Sequence, residues 1–129
     1  MISPGALQAG CAALCSTWQL NQQQLSELVT AVPELLLTSP GVLKVTASRL
    51  KFFLSHSRYW DEWVPRLVAR PKLLGRALLF RTDRYDRLDY LKSTHRDGGL
   101  SWRDALQMTD EDWQDMYPAY KAWWALKGR

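Results

Sequence analysis

The feature that most constrains the fold of this chain is a near repetition of its sequence after 38 residues. Residues 33–53 return without a gap as residues 71–91, each copy beginning with a proline and closing on an Arg-Leu pair followed by an aromatic residue. Leucines stand three and seventeen residues after the proline in both copies, and ten residues after it in the first. Repetition at this period is typical of stacked helical units, since one unit cannot bury its apolar face alone. The sequence therefore predicts an all-α fold, a short helical-repeat solenoid.

Length and composition favour one compact domain over residues 1–129. With 47% hydrophobic residues, seven tryptophans and five tyrosines, the chain can bury an aromatic-rich core. No apolar run approaches the roughly 18 residues that a membrane-spanning helix needs, so we expect no membrane association. The first 43 residues lack Lys and Arg, which argues against a basic signal peptide or an arginine-rich transit peptide.

The net charge of +4 is concentrated in the middle of the chain. Residues 1–65 carry four basic and four acidic side chains, residues 66–103 carry ten and four, and residues 104–129 carry three and five. A local basic excess is typical of proteins that bind a polyanion, either nucleic acid or an anionic membrane surface. The alternative is a solvated helix face, on which neighbouring aspartates and arginines neutralise each other.

Local signals place the helices. Asn21 predicts the start of a helix that ends at Pro33, and Ser39 followed by Pro40 predicts the start of a second helix running to about Leu54. Further helices are expected at 6–14, 59–69, 78–92 and 100–108, with short turns at 34–37 and 72–75. Thr109 predicts the start of the next helix, and an aromatic helix interrupted by Pro118 is expected over 113–126. The chain then divides into a repeat at about 21–55, a repeat at about 59–92 and an aromatic C-terminal cap at about 100–129.

The second copy differs from the first at one core position. Leu43, Ala47, Leu50 and Leu54 form one apolar stripe in the first copy, but Arg81 replaces the equivalent of Leu43 in the second. A charge then lies where the pattern reserves a buried site. We expect looser packing or a cleft beside Arg81.

The residue types for a metal site are too few. Cys11 and Cys15 lie four apart in a predicted helix, a spacing poorly suited to a disulfide, and are interpreted as buried thiols. With only His56 and His95 elsewhere, no set has zinc-ligand spacing. We expect neither a metal nor a cofactor.

No pattern favours catalysis. Serines flank His56, but neighbours on a helix diverge by about 100° and do not make a nucleophile and base. The aspartates at 83, 86 and 89 lack the glycine turn and the final glutamate of a calcium loop. No glycine-rich phosphate loop is present either, so we expect a protein that is not an enzyme.

The proline followed by leucines at three, ten and seventeen residues resembles the repeat of the mitochondrial transcription termination factor (mTERF) family. The resemblance covers roughly residues 21–115. It rests on two sets of residues, namely Leu35, Leu36, Leu43, Arg49, Leu50, Phe52 and Phe53, and Leu73, Leu74, Arg87, Leu88, Tyr90 and Leu91. The ending is similar too, with a short helix at 100–106 and the run Thr109-Asp110-Glu111-Asp112-Trp113. Membership would imply a solenoid in mitochondria or plastids whose positively charged concave side holds duplex DNA or structured RNA.

Six basic residues are the candidate nucleic-acid contacts. They are Arg66, Arg70, Lys72, Arg76, Arg81 and Arg84, which stacked helices would bring into one strip. Arginine forks on such a strip suit phosphate oxygens better than bases. The alternative is that Arg81 and Arg84 pair with Asp83, Asp86 or neighbouring acids.

Most tryptophans fall at helical spacings that indicate core or cap positions. Trp123 and Trp124 are the exception, because two adjacent rings are not expected to face the same core. One of the pair is therefore a candidate for a partner-binding patch.

Together these features predict a monomeric, non-enzymatic protein of organellar gene expression that binds duplex DNA or structured RNA and regulates transcription or its termination. The alternative is a protein-interaction adaptor in mitochondrial ribosome assembly, docking a partner through the aromatic C-terminal cap. Location in the mitochondrial matrix is implied by the family resemblance alone.

Overall fold

The computed structural model describes residues 4–127, with side chains described from residue 9 onwards. This part of the chain is all-α and holds no strand, which confirms the expected all-α class, while the helical-repeat solenoid stays a prediction. Its helices are α1 (Pro4–Trp18), α2 (Gln22–Ala31), α3 (Pro40–Ser55), α4 (Trp63–Val68), α5 (Pro71–Ala77), α6 (Asp86–Ser93), α7 (Trp102–Gln107), α8 (Asp110–Met116) and α9 (Tyr120–Leu126). Two 3-10 turns, Pro33–Leu37 and Thr82–Tyr85, precede α3 and α6. Residues 128 and 129 of the predicted cap lie outside the described residues.

Side-chain caps fix the helix starts that the sequence predicts. The Asn21 side chain accepts a hydrogen bond from the Gln24 amide at 2.8 Å, and the Gln24 side chain accepts one from the Asn21 amide at 2.9 Å. Ser39 Oγ accepts from the Val42 amide at 3.3 Å, and Thr109 caps α8 in the same way at 3.1 Å. These caps satisfy backbone N–H groups that have no partner inside the helix, so the predicted starts of α2, α3 and α8 are confirmed.

The helices pack in two rows. In one row α1 packs along α3, α3 contacts α6, and α6 contacts α9; in the other, α2 packs on α5, which also contacts α4. The stripe predicted on α3 faces the interior, since Leu43, Ala47, Leu50 and Leu54 are all buried. Each buried leucine stabilises the fold by about 1.5–3 kcal/mol relative to an exposed one, so this stripe holds the first row together.

Gly75 sets the distance between α2 and α5. A Cβ atom built on Gly75 would lie 2.5 Å from Cγ2 of Val32 and 3.1 Å from Cδ1 of Leu28. Both neighbours are buried, and the branched valine has little rotamer freedom with which to move aside. With this face of α5 against α2, Lys72 and Arg76 of the same helix are left exposed to solvent.

The second copy departs from the predicted pattern. The single helix expected over 78–92 is wrong, because regular α-helix ends at Ala77 and resumes only at Asp86, after a 3-10 turn. Arg81 stays exposed, so the segment lacks the leucine that would bury a continuous helix. Tyr85 is buried instead and donates its hydroxyl hydrogen bond to the Ala77 carbonyl at 2.7 Å; burial raises the pKa of this hydroxyl.

The first half of the second copy also differs in its boundaries. The helix expected over 59–69 is helical only over Trp63–Val68, after a series of turns. The turn expected at 72–75 belongs to α5. Sequence signals for turns and short helices overlap, so boundaries of this kind are easily misplaced.

An aromatic cluster occupies the C-terminal end. The buried ring of Tyr90 is met edge-on by Trp113, Tyr117, Tyr120 and Trp123, with ring centroids 6.2, 5.8, 5.3 and 5.2 Å away. Edge-to-face pairs of this kind add about 0.5–1.5 kcal/mol each beyond the area that they bury. The cluster attaches α8 and α9 to α6, and the proline expected to interrupt this region lies between α8 and α9.

Candidate nucleic-acid interface

Four of the six predicted phosphate contacts lie at or between two helices that touch each other, α4 and α5. Arg66, Arg70, Lys72 and Arg76 are all exposed, and together we call them the basic hairpin. Arg66 makes a solvent-exposed ion pair with Glu62, with 3.5 Å between Nη2 and Oε2. Within the described chain the other three make no hydrogen bond or ion pair through their side chains. The basic hairpin therefore presents cations that the described residues do not neutralise.

The surroundings of the basic hairpin keep its charge positive. Between positions 66 and 82 the chain has five basic residues and no acidic one. Leu67 and Leu74, on the same two helices, are buried, so the apolar side of the hairpin faces the core and the cations face water. Three neighbouring cations without a counter-ion in the described chain create a positive potential that attracts polyanions, and their N–H groups suit phosphate oxygens.

Arg81 and Arg84, the other two predicted contacts, are engaged within the chain. Arg81 donates from Nε to Asp83 at 2.7 Å and from Nη2 to Asp110 at 3.0 Å, and these hydrogen bonds raise the pKa of Arg81. Arg84 donates from Nη1 to the Leu106 carbonyl at 3.0 Å. Pairing within the chain, which the sequence left open as the alternative, is what the structure shows for Arg81. The six residues thus divide into three without a partner in the described chain, one (Arg66) in an exposed ion pair, and two (Arg81 and Arg84) that donate hydrogen bonds within the chain.

Arg87, which the sequence indicated only as a repeat position, is buried with a side-chain exposure of 3%. It donates to the Ala105 carbonyl at 2.9 Å, to the Met108 carbonyl at 2.6 Å and to Oδ1 of Asp110 at 2.7 Å. Burial lowers the pKa of Arg87, and the hydrogen bond from Arg81 lowers the pKa of Asp110. Through these bonds Arg87 joins α6 to α7 and to the start of α8.

Asp86 forms a second buried polar contact, which sequence reasoning also missed. It accepts hydrogen bonds from Arg49 on α3 and from Nε1 of Trp124 on α9, the latter at 3.1 Å. Arg49 also donates to the Thr82 carbonyl at 3.3 Å. Arg49 stands 38 residues before Arg87, and each arginine reaches forward to an aspartate and a backbone carbonyl of the following segment. The recurrence of arginine after 38 residues is the sequence feature from which these contacts could have been predicted.

Both tryptophans predicted as a partner patch are held against α6. Trp123 lies edge-on to Tyr90, with ring centroids 5.2 Å apart, and Trp124 donates to Asp86. Residues 86 and 90 are four apart, so they share one face of α6, and adjacent residues of α9 can reach both. The expectation that one ring points away from the body is therefore not met, since both are half-buried. A partner-binding role for the pair stays a prediction.

The cleft expected beside Arg81 is present as an open groove of 640 Å³. It lies against α8 and α9, where Glu111, Trp113, Asp115 and Tyr120 line it. Of these side chains Trp113 is buried, with Nε1 lacking a hydrogen-bond partner, while Glu111 and Asp115 are exposed. The groove thus combines aromatic groups with acidic and basic ones, since Arg81 and Lys121 line it as well.

Metal ligands, membrane-spanning helices and the two cysteines are the remaining features that the sequence analysis addressed. In residues 4–127 no group of three or more His, Cys, Asp or Glu side chains is placed to hold a metal ion. Within the same range no helix combines the length and the apolar character needed to cross a bilayer. Cys11 and Cys15 are free thiols, as expected, but half-buried instead of fully buried, and partial burial raises the pKa of Cys15.

Comparison of the chain with protein-family models, with curated proteins and with solved structures gave no match. The resemblance to the mTERF repeat therefore remains a prediction from the residues.

Proposed function

We propose that this protein binds duplex DNA or structured RNA through the basic hairpin. The observation that supports the proposal is the exposure of Arg70, Lys72 and Arg76, with no acidic partner among the described residues. Exposed cations on touching helices are a surface that a phosphate backbone can approach without first breaking internal ion pairs. Arg81, which binds two aspartates, would have to give up those bonds before it could bind a phosphate.

The proposed contacts recognise the backbone of the nucleic acid. Guanidinium and ammonium groups bind phosphate oxygens wherever these occur, so binding of this kind tolerates changes of sequence. With three to four phosphate contacts, the logarithm of the association constant should fall against the logarithm of salt concentration with a slope of about −3 to −4. We expect the slope to report on Arg66, Arg70, Lys72 and Arg76 together.

A salt titration with matched variants tests this proposal. Purified protein is titrated with duplex DNA and with a structured RNA, alongside the variant Arg70→Gln/Lys72→Gln/Arg76→Gln. The control removes the same charge from exposed residues that also have no hydrogen-bond or ion-pair partner in the described chain, namely Lys44→Gln/Arg103→Gln/Lys121→Gln.

Three lost phosphate contacts should flatten the slope by about 3, whereas the control should keep it within about 1 of the wild-type value. Equal effects of the two variants would mean that net charge, and not the hairpin, attracts the ligand. Absence of binding at low salt would overturn the proposal altogether.

We further propose that the protein acts in the mitochondrial matrix, in the regulation of transcription or its termination. The support is the resemblance of residues 33–53 and 71–91 to the mTERF repeat. Imaging of the tagged chain against a mitochondrial marker tests the location. A tighter affinity for duplex DNA than for RNA would favour a transcriptional role, and the reverse would favour the ribosome.

A protein-docking adaptor is the second candidate, favoured by the open groove of 640 Å³ beside Trp113 and Tyr120. Glu111 and Asp115 line it and are exposed, as is the lysine at its edge, Lys121, so a partner that docks there should offer side chains of both signs. In a pull-down from mitochondrial extract, Glu111→Lys/Asp115→Lys should release a partner that the basic-hairpin variant retains. Partner loss in the hairpin variant alone would contradict the adaptor role of the cap.

A further inference from the structure

A separate groove of 510 Å³ lies between the end of α3 and the end of α6. Arg58 and Tyr59 line it from the segment after α3, and Lys92 and His95 line it from α6 and the loop that follows. None of these residues belongs to the basic hairpin or to the groove beside the C-terminal helices. Its volume falls within the range of about 300–1,000 Å³ that is usual for small-ligand sites.

Positive groups dominate the lining. The Lys92 ammonium has no hydrogen-bond acceptor among the described residues, and only one N–H of the Arg58 guanidinium is used, in a hydrogen bond to the Tyr59 hydroxyl at 2.9 Å. The carboxylate on the wall, Asp97, accepts the Ser57 hydroxyl at 2.6 Å. Arg58 and Lys92 therefore keep free donors for an incoming anion.

Each of the two cations is paired with an exposed aromatic ring. The Arg58 guanidinium lies 4.9 Å from the centroid of Tyr59, and the Lys92 ammonium lies 5.6 Å from the centroid of Phe52. Phe52 in turn stacks on His56, with 4.2 Å between centroids. Phe52 is 50% exposed and Tyr59 is 47% exposed, which is unusual for aromatic side chains in a chain that buries most of its others. Exposed rings beside free cations suit a planar base attached to a phosphate.

We propose that this groove binds a nucleoside phosphate, with the phosphate held by Arg58 and Lys92 and the base packed against Tyr59, the aromatic ring that lines the groove. The ligand is either a free nucleotide or one nucleotide of a single strand, since both offer the same phosphate and base. The site is independent of the basic hairpin, so it does not depend on the function proposed above. Exposed rings alone would accept any apolar group, but their pairing with unsatisfied cations selects an anionic planar one.

Calorimetric titration tests the site, with four probes in parallel: inorganic phosphate, a nucleoside, the matching nucleoside 5′-monophosphate and a short single-stranded oligonucleotide. All titrations use the full chain carrying Arg70→Gln/Lys72→Gln/Arg76→Gln, so that binding at the hairpin does not contribute. The site variant Arg58→Gln/Lys92→Met removes both cations, and Lys44→Met/Arg103→Gln is the control with the same charge change on exposed residues without hydrogen-bond or ion-pair partners in the described chain.

We expect the monophosphate or the single strand to bind more tightly than phosphate or nucleoside alone. The site variant should weaken this binding by about tenfold or more, and the control by less than about twofold. Tyr59→Leu should weaken the binding of the nucleotide but leave that of inorganic phosphate unchanged, with thermal melting used to verify folding. If the single strand binds and the monophosphate does not, the natural ligand is a nucleotide within a single strand.

Three results would overturn the proposal: no binding of any probe, an equal loss in the control variant, or phosphate that binds as tightly as the nucleotide. Failure of this site leaves the salt slope of duplex binding unaffected, because the wild-type hairpin is measured in a separate titration.

Discussion

Replacing Arg87 with methionine is expected to cost far more stability than replacing Arg81, although both arginines bind Asp110. Arg87→Met keeps an unbranched side chain but removes hydrogen bonds of 2.9, 2.6 and 2.7 Å to Ala105, Met108 and Asp110. The hydrogen bond to the Ala105 carbonyl is buried and that to the Met108 carbonyl partly so, and an unsatisfied buried acceptor costs about 1–3 kcal/mol.

The loss for Arg87→Met should therefore reach about 3–5 kcal/mol, from two carbonyls left without their donor and one lost hydrogen bond to a charged group. Arg81 has a side-chain exposure of 55%, and its acceptor Asp110 has one of 61%. Water competes for both groups, so Arg81→Met should change the free energy of unfolding far less than Arg87→Met does. For a domain of this size about 1 kcal/mol corresponds to about 3–5 °C in Tm. We expect Arg87→Met to melt about 10 °C or more below wild type, and Arg81→Met within about 5 °C of it.

Urea unfolding followed by far-ultraviolet circular dichroism gives the free energies, and thermal melting checks their order. Arg87→Lys keeps the charge but loses the fork, so an intermediate stability is expected. Equal losses for Arg81→Met and Arg87→Met would refute the reasoning, because burial would then not decide what a bond to Asp110 contributes. The reverse order would show that the exposed ion pairs hold α8 in place.

Three further predictions concern local geometry and charge. Gly75→Ala should lower the free energy of unfolding by about 1–3 kcal/mol through its clash with Val32, and adding Val32→Ala should recover part of the loss; additive losses in urea unfolding would contradict this. Gln19→Gly and His95→Gly should each raise stability by up to about 1 kcal/mol, because both residues adopt a left-handed backbone with φ of 54° and 59°; thermal melts without any gain would count against it. The pKa of Asp110 is lowered in the folded state, so its bonds to Arg81 and Arg87 stabilise the fold above its ordinary pKa of 3.8 and are lost as the pH falls below that value. Asp110→Asn should therefore flatten the acid side of the stability curve, and an unchanged acid side would argue against the assignment.

The helix starts were predictable because their causes are local. Asn21, Ser39 and Thr109 each bind an amide three residues ahead, and proline at 33 and at 40 restricts the backbone beside it. Such signals act within one turn of chain and do not depend on the rest of the fold.

The break between α5 and α6 depends on tertiary packing, which local sequence signals do not determine. Arg81 suggested a weak core position, but the sequence did not show that Tyr85 would fill the space and bind the Ala77 carbonyl. Residues with fair helix propensity surround the break, so tertiary packing overrode local preference there. Where the first copy has a buried leucine, the second copy instead interrupts its helix with a 3-10 turn. The sequence pattern assumed that both copies have the same backbone.

Ion-pair partners were the least predictable part of the site. Arg81 has an aspartate two residues away and uses it, but its second partner, Asp110, is 29 residues distant. The chain contains 13 acidic residues, and only the packing of α7 on the Thr82–Tyr85 turn, which brings the start of α8 to Arg81, selects this one. Helical spacing identifies neighbours on one helix but not between helices.

These pairings reduce the number of basic residues in the middle segment that are available to bind a partner. Residues 66–103 carry ten basic and four acidic side chains, which taken alone indicates one broad polyanion site. Arg49 and Arg87, at equivalent positions of the two copies, instead direct their donors to aspartates and carbonyls of the segment that follows, and Arg84 binds a carbonyl as well. The repeated arginine therefore joins each copy to what comes after it, and the cations left for a ligand are those outside that position. The positive net charge of the middle segment favours a negatively charged partner for the proposed site. The 38-residue repeat indicates that Arg49 and Arg87 should not contact that partner.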